Sequence, residues 1–122
     1  NNIEIIVGNN RNNGYDQAHK LARAIRASEE YKTYVRKRKA VYSDEKNKKM
    51  VEDFKNKVLQ IQMEQMSGKE VEQEELEKIS KLEEVLTLNP TINDFLNAEL
   101  RFSQLVQDIN KIIGDAIELE NN

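Results

Sequence analysis

From Tyr15 onward the apolar side chains return every three or four residues, the period of a helix with one buried face. Tyr15, Ala18, Leu21 with Ala22, and Ile25 form the first stripe, and Lys20, Arg23 and Arg26 take the other side. At Ser28 the stripe loses phase. Ser28-Glu29-Glu30 reads as an N-cap followed by first-turn acids, which suit the positive end of a helix dipole. A second helix then carries Tyr31, Tyr34, Val35, Val41 and Tyr42. Ser43-Asp44-Glu45 repeats the start signal. The third helix follows Met50 with Val51, Phe54, Val58 and Ile61, with Leu59, Met63 and Met66 widening the same face, and Gly68 is placed to stop it.

After a polar loop over 68–73, Leu76, Ile79, Leu82 and Leu86 mark a fourth helix that ends at Asn89-Pro90, where proline cannot donate to a preceding turn. Thr91 with Asp94 resembles a capping box with Asp in place of Glu. Beyond it, Phe95, Ala98, Phe102, Leu105, Ile109, Ile112, Ala116 and Leu119 alternate steps of three and four without interruption. That is a heptad seam, the pattern by which helices wrap around one another. Ile92, Leu96, Val106, Ile113 and Ile117 add a second row, so this helix should touch more than one neighbour. The pattern predicts an all-α bundle of about five helices built around a long C-terminal helix over 91–119. The bundle is expected to self-associate, as a homodimer or in a hetero-oligomer with related helical proteins. Those eight seam residues are the candidates for interface or core, and Tyr31, Tyr34, Phe54 and Leu82 are expected in the core. Spacing alone cannot separate core from interface, because both present an apolar stripe.

Residues 1–14 are set apart: six are Asn, and Ile3, Ile5, Ile6 and Val7 form a short β-prone run. A lone strand has no partner, so this segment is expected to be mobile, docked on a neighbouring chain or a processing remnant, with one helical domain over 15–122.

The chain has 122 residues, enough for one domain. It contains no cysteine, which removes disulfides, thiolate metal ligands and cysteine nucleophiles. No apolar run exceeds three residues, so no membrane segment is expected and the reading is cytoplasmic. The net charge of −3 conceals a division: residues 15–57 carry +6 and residues 58–122 carry −9. Opposed halves favour pairing of basic against acidic surfaces. The densest basic stretch, Lys32 with Arg36, Lys37, Arg38 and Lys39, is interleaved with Tyr31, Tyr34 and Tyr42. Cations with exposed aromatics would suit single-stranded RNA, making RNA binding by the segment 32–57 the alternative function. Helical core spacing of those tyrosines favours burial with their hydroxyls at the rim, and four consecutive cations point to four azimuths and cannot all face one groove.

Candidate chemistry is sparse. His19 is the single histidine, and Asp16 lies one turn before it. A carboxylate-bridged metal site would need a second such pair on another helix. Ser28, Ser43, Ser67, Ser80 and Ser103 have only His19 as an imidazole base. Glycines 8, 14, 68 and 114 are isolated, so there is no phosphate loop. No catalytic residue, cofactor or metal is expected.

Tyr15-Asp16-x-Ala18-x-x-Leu21-Ala22-x-Ala24-Ile25, Ser28-Glu29-Glu30-Tyr31-x-x-Tyr34 and Leu88-Asn89-Pro90-x-Ile92-x-Asp94-Phe95-Leu96-x-Ala98-Glu99 together resemble the YlbF/YmcA-like family of small bacterial helical proteins. The likeness spans about residues 15–119. It implies an all-α regulatory subunit without catalysis of its own that associates through long helices. Members join a complex that affects competence, sporulation and biofilm development and alters mRNA cleavage by RNase Y. Those members carry cysteines linked to an iron–sulfur cluster; this chain has none, so the resemblance does not extend to that cofactor.

Overall fold

The computed structural model describes the backbone of residues 2–118 and the side chains of residues 13–118. The described residues form five helices: α1 (Asn2–Ala27), α2 (Glu29–Tyr42), α3 (Glu45–Met66), α4 (Gln73–Thr87) and α5 (Pro90–Ile117). The order and number follow the apolar periodicity. The clearest departure is at the N-terminus, where the β-prone run lies inside α1. A strand without a partner leaves its backbone N–H and C=O groups unpaired, whereas a helix pairs them within the segment.

Local chemistry explains each boundary. The Ser28 hydroxyl accepts from the Tyr31 amide at 3.2 Å, capping α2. Asp44 caps α3 by accepting from the Asn47 amide at 3.0 Å, and Ser43 instead closes the C-terminus of α2. At the end of α3, Gly68 adopts φ +86°, its amide donates to the Gln65 carbonyl, and the Lys69 amide donates to Glu64. This is a Schellman closure, in which a left-handed residue satisfies two last-turn carbonyls. At the α4–α5 turn the cap is Asn89 rather than the Thr91–Asp94 pair. Its side-chain oxygen accepts from the amides of Thr91 and Ile92 at 3.0 and 3.2 Å, and Pro90 occupies the first helical turn, where a missing N–H is harmless. The Asn89 amide group also donates to Asn47 at 3.0 Å, tying this turn to the start of α3.

The core gathers where the end of α2, the start of α3, the end of α4 and the start of α5 meet. Val41, Val51, Leu86, Ile92 and Phe95 are closed to solvent there, with Tyr34, Tyr42, Met50, Phe54, Leu82 and Leu96 packed around them. Phe95 lies at its centre, stacked on Tyr34 at 6.0 Å and edge-on to Tyr42 at 6.1 Å. Tyr31 sits further along, tilted on Phe102 at 5.3 Å. Tyr31, Tyr34, Phe54 and Leu82 are half-buried. Leu59, Met63 and Met66 depart from the expected face: they are 54, 61 and 87 % exposed. The reason is the width of the stripe. The second half of α3 has α4 as its neighbour on the side of Ile61, and the next row of α3 is left in water.

Replacing Phe95 with Ala should cost about 3–5 kcal/mol, because it empties the centre of a small core. Gly68→Ala meets no neighbouring atom within 4 Å, so its cost should be the left-handed backbone alone, roughly 1–2 kcal/mol. Urea unfolding followed by circular dichroism measures both.

Candidate functional site

The heptad seam on α5 divides into two zones. Phe95 and Ala98 are buried, Phe102, Leu105 and Ile109 are half-buried, and Ile112 and Ala116 are exposed. The second row behaves in the same way: Ile92 is buried, Leu96 and Val106 half-buried, and Ile113 and Ile117 exposed. Leu119 lies outside the described residues. A continuous stripe in sequence is therefore core at its start and open surface at its end, with Ile112 69 % and Ile117 72 % exposed.

Helix lengths account for the division. α5 has 28 residues, about 42 Å, and α2, its main neighbour, has 14, about 21 Å. The two run antiparallel, because Tyr31 at the start of α2 meets Phe102 while Tyr42 at its end meets Phe95. Beyond Phe102, α5 continues past the N-terminus of α2. The α1–α2 junction at Ala27-Ser28 lies at that same end. α1 packs chiefly on α2, Leu21 and Ile25 are half-buried near the junction, and residues 13–20 are exposed, Tyr15 by 66 %. Two helical segments with apolar stripes thus leave the body from one end.

The basic segment is less uniform than its sequence suggests. Lys37 turns inward and pairs with Asp94 at 3.4 Å, and the Arg38 guanidinium lies 4.2 Å from the centre of the Tyr42 ring. Lys55 pairs with Glu99 and lies 5.2 Å from the Phe95 ring centre. Lys32, Arg36 and Lys39 stay exposed on one face, where with Arg26 they border a shallow groove floored by Tyr31 and Val35. Tyr31, Tyr34 and Tyr42 are engaged with Phe95 and Phe102, so their rings serve the fold first.

Among the described residues, no group of three or more His, Cys, Asp or Glu side chains is placed to hold a metal ion, and no polar side chain is buried. Asp16 and His19 are both exposed on α1. A cleft of about 400 Å³ between the end of α3 and the start of α4 is lined by Glu64, Glu70, Glu72 and Glu75 together with Lys57, Lys69 and Lys78. Carboxylates and ammonium groups in nearly equal number offset most of one another's field there. No described helix is long and apolar enough to cross a membrane. What the described residues leave open is apolar and basic surface: the distal half of α5, the stripe of α1 and a basic face on α2. Periodicity had marked the first two stripes, but nothing in it distinguished them from core.

Comparison with known proteins agrees with this picture. Residues 15–118 match the family described as control of competence regulator ComK, YlbF/YmcA, a description that assigns the family a regulatory role. A UPF0342 protein of Caldicellulosiruptor bescii is 35% identical over 109 residues, covering 89% of this chain and 92% of the relative. One from Symbiobacterium thermophilum is 38% identical over 106 residues, covering 87% and 95%. A solved structure from Bacillus stearothermophilus, a protein of unknown function (DUF964), superposes with a TM-score of 0.76 at 23% identity, over 84% of this chain and 90% of that one. It shares the all-α fold with a long C-terminal helix.

Both cross-helix ion pairs are partly open to water, which screens them. Lys37→Ala should therefore lower stability by less than about 1 kcal/mol in the same urea assay, far less than Phe95→Ala.

Proposed function

This chain belongs to the YlbF/YmcA family, and from that membership we propose that it is a non-catalytic regulatory module whose work is contact between helices within a cytoplasmic complex. The observation that carries this reading is the open end of the α5 seam, where Ile112, Ile113 and Ile117 face solvent on a helix that has outrun its neighbour. Apolar surface of this kind gains about 25 cal/mol per Å² on burial, before the entropy of association is subtracted. A stripe at heptad spacing selects another helix as its cover, because knobs from one helix need holes between residues of the next. The regulatory role of the family supports the same reading, and competence control is the process to which its description points.

A second reading rests on the face formed by Arg26, Lys32, Arg36 and Lys39. None of the four makes an ion pair within 4.0 Å among the described residues, so their field is free to meet a phosphate backbone. It ranks behind the first because the tyrosines it would use for base stacking are packed against α5.

Both readings are open to test with the full chain. Used as bait in extracts of the source cell, the native protein should retain a defined set of partners that Ile112→Asp/Ile117→Asp loses while keeping its helical circular dichroism. Equal recovery by both baits would remove the seam from the function. A labelled single-stranded RNA should bind weakly. Affinity that falls steeply with salt and disappears in Lys32→Ala/Arg36→Ala/Lys39→Ala would instead promote the second reading.

A further inference from the structure

Packing sorts the cations of α2 into two sets. Lys37 and Arg38 are engaged by their neighbours, Asp94 of α5 and the Tyr42 ring. Lys32, Arg36 and Lys39 are exposed, and their steps of four and three align them in one row along the helix. Arg26, in the last turn of α1, joins them at a groove of about 410 Å³ whose apolar lining is Tyr31 and Val35. We infer that this groove docks an acidic amphipathic helix of a partner protein, with carboxylates on the cation row and an apolar side chain on Val35. The assignment rests on the reading that this protein works by contact between helices, and it adds a second surface and the charge of the chain that meets it.

Charge is the first argument. Acids outnumber bases in the chain, 22 to 19, yet among the described residues none pairs with any of these four cations within 4.0 Å. Glu29 and Glu30, the nearest in sequence, border a different depression with Thr33 and Arg101. Like charges left side by side repel one another, and an incoming acidic face relieves that repulsion.

The floor decides what kind of acid fits. The Tyr31 ring is already packed on Phe102 at 5.3 Å, and Val35 is aliphatic and half-buried, so the groove offers an apolar contact rather than a stacking platform for bases. Charges flanking an apolar strip are the arrangement by which one helix selects the sign of another. Lys32 to Lys39 spans one heptad, about 10.5 Å of helical rise, so carboxylates at the same steps on a second helix reach all three cations. A nucleic acid would run on past the groove into the field of a chain whose net charge is −3.

The groove is not complementary to itself. No acidic side chain lines it, so a two-fold axis through it would set cation against cation. Docking on the glutamate-rich α4 of another copy would be head-to-tail and open-ended. The helix that fits is therefore one from a different chain.

The test uses the purified full chain and fluorescent probes. One is a helical peptide of about 18 residues, roughly five turns, with a leucine stripe flanked by glutamates. A second carries lysine in place of every glutamate, and a third is single-stranded oligouridylate. In anisotropy titrations the glutamate peptide should bind, with an affinity that falls as salt is raised. Lys32→Glu/Arg36→Glu, both at exposed positions, should keep helical circular dichroism, weaken that peptide at least about tenfold and take up the lysine peptide in its place. Ile112→Asp/Ile117→Asp, outside the groove, should bind the glutamate peptide like the native chain. The assignment is overturned if the native chain does not bind the glutamate peptide, if charge reversal leaves that binding unchanged, or if the seam substitutions abolish it. Tighter binding of oligouridylate, lost on charge reversal, also overturns it and promotes the RNA reading. Failure of the interaction reading shows elsewhere, as equal capture by the native and seam-substituted baits, neither of which alters the groove.

Discussion

Phe95 is the residue on which the remaining packing depends. Its ring touches two tyrosines from α2, lies under the Lys55 ammonium from α3 and sits among the aliphatic side chains that end α4 and begin α5. An aromatic side chain can bury 150–250 Å², a large share of what a core this small has to offer. The α2–α3 and α4–α5 junctions, capped by Asp44 and Asn89, lie beside that cluster, whereas the α1–α2 and α3–α4 junctions lie at the opposite ends of their helices. Asn89 shows the coupling well: one side chain starts α5, satisfies two amides and reaches across to α3. The turn that delivers Phe95 to the core is thus held by the helix that the core packs against.

The same arrangement explains why the molecule has an open end. Local contacts dominate, each helix packing chiefly on its sequence neighbours, with α2 on α5 as the long-range exception. A core drawn around four helix termini cannot also cover the far end of a helix of 28 residues. Distal α5 and α1 retain their periodicity because helix formation needs only local pairing, but their apolar faces are left without a neighbour within the chain. The ion pairs do not alter this balance. Those between helices, Lys37 with Asp94 and Lys55 with Glu99, cluster beside the Phe95 core, and those within α4 and α5 are exposed pairs one turn apart, each contributing a few tenths of a kcal/mol.

Family membership and structure bear on different parts of the function. The relatives cover nearly the whole chain, and the family whose description names competence regulation matches residues 15–118. The chemistry of the surface then narrows how such a role is carried out. Its basic cations are divided: Lys37 is drawn into the helix interface, Arg38 lies on an aromatic ring, and Lys32, Arg36 and Lys39 remain in water. Its tyrosines, which with those cations read as a nucleic-acid surface, are held by the aromatic cluster.

Five helices, most of their ends and the long C-terminal helix were legible along the chain, because a helix is written locally: a 3.6-residue period, a capping Ser or Asp, a glycine after the last turn, a proline in the first. The β-prone run at Ile3–Val7 misled for the complementary reason, since strand formation depends on a partner that lies outside the local sequence. The division of the seam into Phe95 and Ala98 inside and Ile112 and Ile117 outside was not legible at all. Those residues occupy equivalent places in one repeat, and their fates separate only through the length of α2, the antiparallel crossing at Tyr31 and Phe102, and the point where the neighbouring helix ends. Period and caps are properties of a segment; burial is a property of what stands opposite it, and only the packed chain sets that.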